Sequence, residues 1–210
     1  MIEGIVWISL LAVILYSFWI KGWSKVWDER VVSFFIDIDK KDLPAVTMII
    51  PFRNEELNLP NLLGAINCFD YPVDLLELIF VNDHSEDASV SLVQNCKLKY
   101  PYKLIHSDEE GKKSAISKGV VLAKNTWIVT TDVDTVWGEQ SLRHLMSHPK
   151  LHEVEMICGV VEMIPQNGAL LHQLQSLEYS ILQAAGISSL FRFEPLLNSG
   201  ANLEIGRAHV

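Results

Sequence analysis

The segment TWIVTTDVDT, residues 126–135, ends an apolar run on two carboxylates, Asp132 and Asp134. The apolar and β-branched residues predict a buried strand. Side chains alternate along a strand, so the two aspartates point the same way if the strand continues through Val133. The segment therefore indicates either a polar strand end, with Asp134 capping the next helix, or a site where two carboxylates share a divalent cation.

Strand-like and helix-like segments alternate on both sides of this stretch. Helical spacing follows each apolar run, and this alternation is typical of an α/β fold with a mainly parallel sheet flanked by helices. The other strand-like segments are AVTMIIPF (45–52), LLELIFVND (75–83), YKLIHS (102–107) and EMICGVVEMI (155–164). The helix-like segments are 58–69, 88–100, 113–124, 138–148 and 169–187.

Polar residues follow four of the predicted strands. They are PFRNEE (51–56), NDHSED (82–87), SDEEGKKS (107–114) and DVD (132–134). Ligands of open α/β sheets bind outside the carboxyl ends of the strands, so these four segments belong to one edge and predict one site.

Individual residues in these segments carry different expectations. Asp83, at a strand end, is suited to accept hydrogen bonds from a nucleobase or ribose, whereas Ser85 or Asp87 is the expected helix cap. Pro51 is expected to end its strand because it lacks a donor, and Asn54 and Glu55 then face a ligand. Each of these loops also has a simpler interpretation as a solvated turn.

A basic segment, EEGKKS, precedes the third predicted helix. It lacks the glycine spacing of a P-loop, so it is not a nucleotide-triphosphate cradle of that kind. Lys112 is the expected contact to a diphosphate, as a point charge, while Lys113 and Lys118 are expected to face solvent.

Composition excludes several classes of protein. The 210 residues are 49% hydrophobic and 20% charged, which is typical of a folded domain rather than a disordered chain. The formal net charge of -9 argues against nucleic-acid binding. The three cysteines, Cys68, Cys96 and Cys158, form no CxxC pair, so we expect free thiols in a reducing compartment.

The N-terminus contains an uncharged run from Ile5 to Ile20, flanked by tryptophans. It predicts a transmembrane anchor over residues 1–22 and a juxtamembrane linker over residues 23–43. Because Glu3 and bulky residues do not fit a cleaved signal peptide, we expect the anchor to be retained. Lys and Arg after the run predict a membrane protein whose domain faces the cytoplasm.

Four motifs occur in an order that resembles family 2 glycosyltransferases of the GT-A fold: VTMIIPFRNEE, LIFVNDHSED, GKKSAISKG and IVTTDVDT. The resemblance covers residues 45–202 and implies a nucleotide-diphosphate-sugar donor, most often a UDP-sugar. It implies a divalent cation, Mg²⁺ or Mn²⁺, and inverting transfer to a saccharide or lipid-linked acceptor. By motif matching it places Pro51, Asn54, Glu55 and Asp83 at the nucleoside, Lys112 near the donor, and Asp132 and Asp134 at the metal and diphosphate.

The sequence departs from the family pattern in two places. Asn82 and His84 stand where the family often has Asp and Gly. The general base and an aromatic-basic motif follow the NSGANLEI segment in the family, so we expect the base beyond Val210, an incomplete GT-A domain over residues 44–203, and a non-native tail over residues 204–210.

Two other functions remain open from the sequence. One is a membrane-anchored module that binds a nucleotide-sugar without turnover, a pseudoenzyme lacking the base. The other is a nucleotidyltransferase, although the acidic PFRNEE segment lacks the glycine- and basic-rich loop expected there after the first strand.

Overall fold

The computed structural model describes residues 7, 10, 11, 13–18, 21, 38–151, 156–159, 161, 163, 164, 170–191 and 204–207. The chain divides into two compact units. One comprises Met1–Phe34 with Val160–Gly200, and the other comprises Phe35–Gly159 with Ala201–Val210. The second unit carries the sheet and all four predicted site segments.

The sheet has six strands in the order β3-β2-β1-β4-β6-β5. The strands β1 to β4 are parallel, and β6 pairs antiparallel with both β4 and β5. This arrangement confirms the predicted α/β fold with a mainly parallel sheet. The bounds are β1 Val46–Phe52, β2 Leu76–Asn82, β3 Tyr102–His106, β4 Trp127–Thr130, β5 Met156–Cys158 and β6 Glu204–Arg207.

Helices cover both faces of this sheet. A large core lies between the sheet and the helices at residues 59–68, 89–94 and 141–151, while a smaller core around Ile49, Ile79 and Ala115 lies under the helix at residues 112–122. The central strands β1 and β2 are buried along their whole length, as expected for parallel strands covered on both faces. The helices are α1 Leu59–Cys68, α2 Ser89–Gln94, α3 Lys112–Leu122, α4 Ser141–Leu151 and α5 Leu170–Phe191, and two 3₁₀ turns span Lys40–Asp42 and Val73–Leu75.

Helix α3 approaches the sheet closely at Gly119. A Cβ atom on this glycine would lie 2.6 Å from Cγ2 of Ile49, a residue of β1 with no exposed surface. The missing side chain therefore lets α3 pack directly on β1. This contact fixes the distance between the sheet and the helix whose first residue is Lys112.

Some predicted boundaries differ from those in the structure. The second helix was expected to reach residue 100 but ends at Gln94, where the Asn95 side chain donates to the Ser91 carbonyl oxygen at 2.8 Å. Asparagine side chains compete for backbone groups in this way and end helices. β6 lies in a segment for which no strand was predicted. Cys68 and Cys96 are free thiols.

The prediction of a membrane location through an N-terminal span is wrong. Among the described residues, no helix is long and apolar enough to cross a bilayer. Of the expected anchor, the structure describes residues 7, 10, 11, 13–18 and 21. The remaining residues of the expected anchor, and residues 23–37 of the expected linker, lie outside the described part of the chain.

Candidate functional site

The carboxyl edge of the parallel strands is held by backbone hydrogen bonds beyond the strand ends. Asp83 N donates to Phe52 O at 2.8 Å, and Ser107 N donates to Asn82 O at 2.9 Å. Thr131 N donates to the carbonyl oxygen of Ile49 at 3.2 Å. The first residue after each of β2, β3 and β4 is thus fixed relative to the neighbouring strand, and the loops start from one edge as predicted.

Asp83 is the most enclosed acid at this edge, with 6% of its surface exposed. Both of its carboxylate oxygens accept from the Gly111 amide, at 2.9 and 3.0 Å. Gly111 has φ +117°, a conformation that residues with a Cβ rarely adopt. Asp83 therefore fastens the loop between β3 and α3 to the end of β2.

His84 follows Asp83 in the left-handed region, at φ 59°. Its Nδ1 lies 3.3 Å from Asp83 Oδ1, so the imidazole lies beside the buried carboxylate. A non-glycine residue is uncommon in this conformation, and His84 stands where the family often has Gly. The structure accommodates it with the side chain exposed.

Asn54 joins the β1–α1 loop to the β2–α2 loop. Its side-chain oxygen accepts from the Glu86 amide at 2.8 Å, and its own amide donates to Ser85 Oγ at 3.1 Å. Asn54 has φ 55°, which asparagine tolerates better than most residues. The contacts of Asn54 are therefore to the neighbouring loop, while the sequence placed the residue towards a ligand.

The two glutamates after Asn54 strengthen the same connection. The Glu55 amide donates to Ser89 Oγ at 2.8 Å, and the Glu56 amide donates to Asp87 Oδ2 at 3.0 Å. Glu56 Oε2 in turn accepts from the Ala88 amide at 3.1 Å. The backbone amides before each helix thus donate to side-chain oxygens of the other segment, and the two loops form one hydrogen-bonded unit.

Asn82, the last residue of β2, also contacts the loop after that strand. Its Oδ1 accepts from the Ser85 amide at 2.9 Å, and its Nδ2 lies 3.0 Å from His106 Nδ1 on β3. Asn82 is buried, so its amide can satisfy both neighbours without water. The sequence noted Asn82 only as a departure from the family pattern. The Asn-x-x-Ser spacing, a turn signal, was the clue to its role.

Pro51 lies inside β1, one residue before its end, so the prediction that it ends the strand is wrong. The last β1–β4 pair is Ile49 with Thr130, and Pro51 lies beyond it on the same side of β1. Its missing N–H therefore breaks no hydrogen bond to β4. Pro51 is buried, and it shapes the edge through its backbone.

Lys112, at the start of α3, connects the loop after β3 to the loop after β4. Its ammonium nitrogen lies 2.6 Å from Asp132 Oδ1. The Lys112 side chain is 50% exposed and that of Asp132 is 28% exposed, so the pair is accessible to solvent and to ligands. The adjacent residues Gly111 and Lys112 thus contact Asp83 and Asp132, the two acids expected at opposite ends of a donor.

The segment after β4 is anchored from the inside. The buried Thr131 accepts a hydrogen bond from Trp137 Nε1 at 3.0 Å, and Val133 is buried. β4 ends at Thr130, so the alternation of side chains along a strand does not extend to the two aspartates. Asp132 is half-buried, Val133 is buried and Asp134 is exposed. The interpretation of Asp134 as a helix cap is wrong, because α4 begins only at Ser141.

Asp132 and Asp134 suit only one type of metal site. In the part of the chain that the structure describes, no group of three or more His, Cys, Asp or Glu side chains could hold a metal ion. Mg²⁺ commonly takes only one or two carboxylates together with substrate phosphates. The oxygen donors of Asp132 and Asp134 therefore fit a divalent cation that a phosphate ligand helps to bind.

Comparison with known proteins bears on the same segments. The model of Glycosyl transferase family 2 matches residues 47–202. The "Probable glycosyltransferase YdaM" of Bacillus subtilis is 32% identical over 111 residues, 50% of this chain and 26% of that protein. The poly-beta-1,6-N-acetyl-D-glucosamine synthase of Staphylococcus epidermidis is 21% identical over 184 residues, 80% of this chain and 44% of that protein. The chain thus spans less than half the length of these relatives.

Solved structures show the same fold. The mannosyltransferase of Pyrobaculum calidifontis in complex with GDP-Man and Mn²⁺ has a TM-score of 0.67 at 21% identity, covering 95% of this chain and 55% of that one. TarS of S. aureus in complex with UDP-GlcNAc has a TM-score of 0.51 at 20% identity, covering 60% of this chain and 36% of that one.

Proposed function

Since the chain belongs to glycosyl transferase family 2, we propose that it binds a nucleotide-diphosphate-sugar at the carboxyl edge of the sheet and transfers the sugar. The observation that carries this proposal is the connection of all four edge loops into one site. Asp83 binds the loop after β3, Asn54 joins the loops after β1 and β2, and Lys112 reaches the acid after β4.

The nucleoside is proposed to lie at the β1 and β2 ends of this edge. Asp83 accepts hydrogen bonds from the nucleobase or ribose in addition to the one it accepts from the Gly111 amide, since each carboxylate oxygen can accept more than one. Asn54 and Glu55 hold the surrounding loops, and Pro51 forms part of the floor. Solved neighbours carry UDP-GlcNAc or GDP-Man, which supports a nucleotide-sugar without choosing the base.

The diphosphate is proposed to lie over the loop after β4. Asp132 and Asp134 hold a divalent cation there, Mg²⁺ or Mn²⁺, and that cation, when bound, neutralises charge on the leaving diphosphate. The mannosyltransferase neighbour was solved with Mn²⁺, which supports this assignment. Lys112, as a cation at the same point, adds a second positive charge for the phosphates.

The reaction is proposed to invert the anomeric carbon. A hydroxyl of a saccharide or lipid-linked acceptor attacks that carbon, the bond to the nucleoside diphosphate breaks, and a general base takes the hydroxyl proton. The base stays unassigned. The donor-side residues contribute by fixing the nucleoside and the diphosphate, so that the leaving group and the attacked carbon keep one orientation.

Substitution of Asp134 tests the metal part of the proposal. Binding of UDP and of GDP is measured by calorimetry with Mn²⁺ and with EDTA, on the whole chain, for wild type, Asp134→Asn and the control Asp74→Asn. Asp74 is an exposed acid in the 3₁₀ turn before β2, away from the site. Removing a supporting metal-site residue typically costs 10–100-fold, so Asp134→Asn should weaken Mn²⁺-dependent binding by about tenfold or more.

Two results would contradict the proposal in different ways. Unchanged Mn²⁺-dependent binding in Asp134→Asn removes the metal assignment but leaves a nucleotide site. Absence of UDP and GDP binding in the wild-type chain removes the donor site itself. Release of sugar from UDP- or GDP-sugars by the wild type separates an enzyme from a module that only binds.

A further inference from the structure

Lys112 occupies a position at Asp132 that a divalent cation also needs. Its ammonium nitrogen lies 2.6 Å from Asp132 Oδ1, one of the oxygens proposed to hold the metal. We propose that Lys112 is an internal counter-ion of Asp132, which competes with the divalent cation and passes to the donor diphosphate when the cation binds. This inference rests on the proposed function and adds a step of regulation at the same site.

The backbone around Lys112 favours this exchange. The neighbouring Gly111 amide is held by both carboxylate oxygens of Asp83, and this fixes where α3 begins. Gly119, further along α3, sits directly against Ile49 and fixes the height of the helix above the sheet. With the helix positioned at both points, the Lys112 side chain can leave Asp132 while its backbone remains in place.

The other basic residues near this loop pair with different acids. Lys118 contacts Asp108, and Arg53 lies 3.3 Å from Glu110. Both partners belong to the loop between β3 and α3. Among the described ion pairs, Lys112 is the basic residue near this loop whose ammonium group reaches Asp132, the acid proposed to bind the metal.

The strength of the Lys112–Asp132 pair is suited to exchange. Half of the Lys112 side chain and 28% of the Asp132 side chain are exposed, so solvent screens their attraction. Exposed ion pairs are typically worth ~0.2–1 kcal/mol, which corresponds to a competition of up to about fivefold against an incoming cation. An ammonium ion is a compact charge on a flexible stem, so it can turn from a carboxylate to a phosphate without a rigid geometry.

The test compares metal affinity with nucleotide affinity in the same variants. Mn²⁺ binding to the whole chain is measured without nucleotide by the electron paramagnetic resonance signal of free Mn²⁺. Binding of UDP and GDP is measured by calorimetry at saturating Mn²⁺. The variants are Lys112→Gln, Lys112→Arg and the control Lys113→Gln, which removes one exposed positive charge from the next residue.

Opposite signs are expected in Lys112→Gln. Its affinity for Mn²⁺ should rise about two- to fivefold because the competitor is gone, while its affinity for the nucleoside diphosphate at saturating Mn²⁺ should fall by a similar factor. Lys112→Arg should keep a wild-type affinity for Mn²⁺, and Lys113→Gln should change both affinities by less than twofold. A lysine that only supports the fold would lower both affinities and the melting temperature together.

Several outcomes would overturn the inference. Unchanged or weaker Mn²⁺ binding in Lys112→Gln shows that the lysine does not compete. An equal gain in Lys113→Gln shows general repulsion rather than occupation of Asp132. If the wild type binds nucleoside diphosphate and Mn²⁺ but the Lys112 variants match it, the proposed function stands and the exchange alone fails. If the wild type binds neither, both fall.

Discussion

Replacing Gly119 by alanine tests the packing that positions α3 over the sheet. The added Cβ would lie 2.6 Å from Cγ2 of Ile49, 3.2 Å from its Cδ1 and 3.3 Å from its Cγ1. Contacts below 3 Å require movement, and Ile49 is fully buried with a stiff β-branched side chain. We therefore expect α3 and β1 to separate or Ile49 to leave its preferred rotamer.

The magnitude follows from two opposing effects. Overpacking a buried site typically costs ~1–3 kcal/mol, and the severity of this contact favours the upper half of that range. Replacing glycine by alanine within a helix stabilises the helix by ~1 kcal/mol. The net expectation is a loss of about 1–2 kcal/mol in the free energy of unfolding, or a fall of about 2–8 °C in Tm for a chain of this size.

Gly64 in α1 provides the matched control. A Cβ at Gly64 would meet no heavy atom within 4 Å, so Gly64→Ala should gain the helix term alone, about 0.5–1 kcal/mol. Urea unfolding of the wild type and both variants, followed by circular dichroism, measures the difference. If Gly119→Ala is as stable as Gly64→Ala, α3 does not lie against Ile49 as described, and the placement of Lys112 loses its support.

Two further predictions concern ionised groups away from the site. Lys40 lowers the pKa of Asp70 below its ordinary 3.8, partial burial opposes this and Arg143 reinforces it, so Asp70 adds stability above that pH which is lost as pH falls through its folded pKa. Arg143→Ala should cost about 1–2 kcal/mol at pH 7 in urea unfolding and less at pH 3, and an equal cost at both would contradict the ion pair. Burial raises the pKa of Glu77, but hydrogen bonds from the Lys124 amide and from neighbouring side chains outweigh it and lower that pKa. Glu77→Ala should therefore lose about 2–3 kcal/mol at pH 7, and Glu77→Gln clearly less, by the same method, because Gln keeps an oxygen acceptor; equal losses would show that the carboxylate charge alone matters.

The sheet was predictable because its signals are local. β1 and β2 are runs of apolar and β-branched residues, and helical spacing follows each one, so the strands and their mainly parallel pairing were predictable from the sequence. The shared edge then follows from topology, because successive parallel strands end on the same side. That rule brought Asp83 and Asp132 to one site without any knowledge of their contacts.

The contacts within the site were not predictable because they join residues distant in sequence. Asp83 and Gly111 are 28 residues apart, and Asn54 and Glu86 are 32 apart. Residue type suggested that Asn54 faces a ligand, but its amide oxygen is taken by the neighbouring loop. Pattern alone cannot decide which of two available partners a side-chain oxygen accepts from.

The N-terminal expectation failed for a different reason. Apolar composition over Ile5 to Ile20 predicted a span, since a bilayer requires a long apolar helix. Among the residues that the structure describes, no helix is long and apolar enough to cross a bilayer.

The position of the bound donor is the most direct test of the account. Hydrogen–deuterium exchange of the whole chain, with and without Mn²⁺ and UDP or GDP, reports which edge of the sheet the nucleotide protects. The account predicts protection at the carboxyl edge, in residues 53–58, 83–88, 107–112 and 131–135. The opposite edge has a cavity of about 440 Å³ lined by Pro44, Ala45, Lys124, Asn125, Thr126 and Trp127. Protection confined to that cavity, with the carboxyl edge unchanged, would contradict the account.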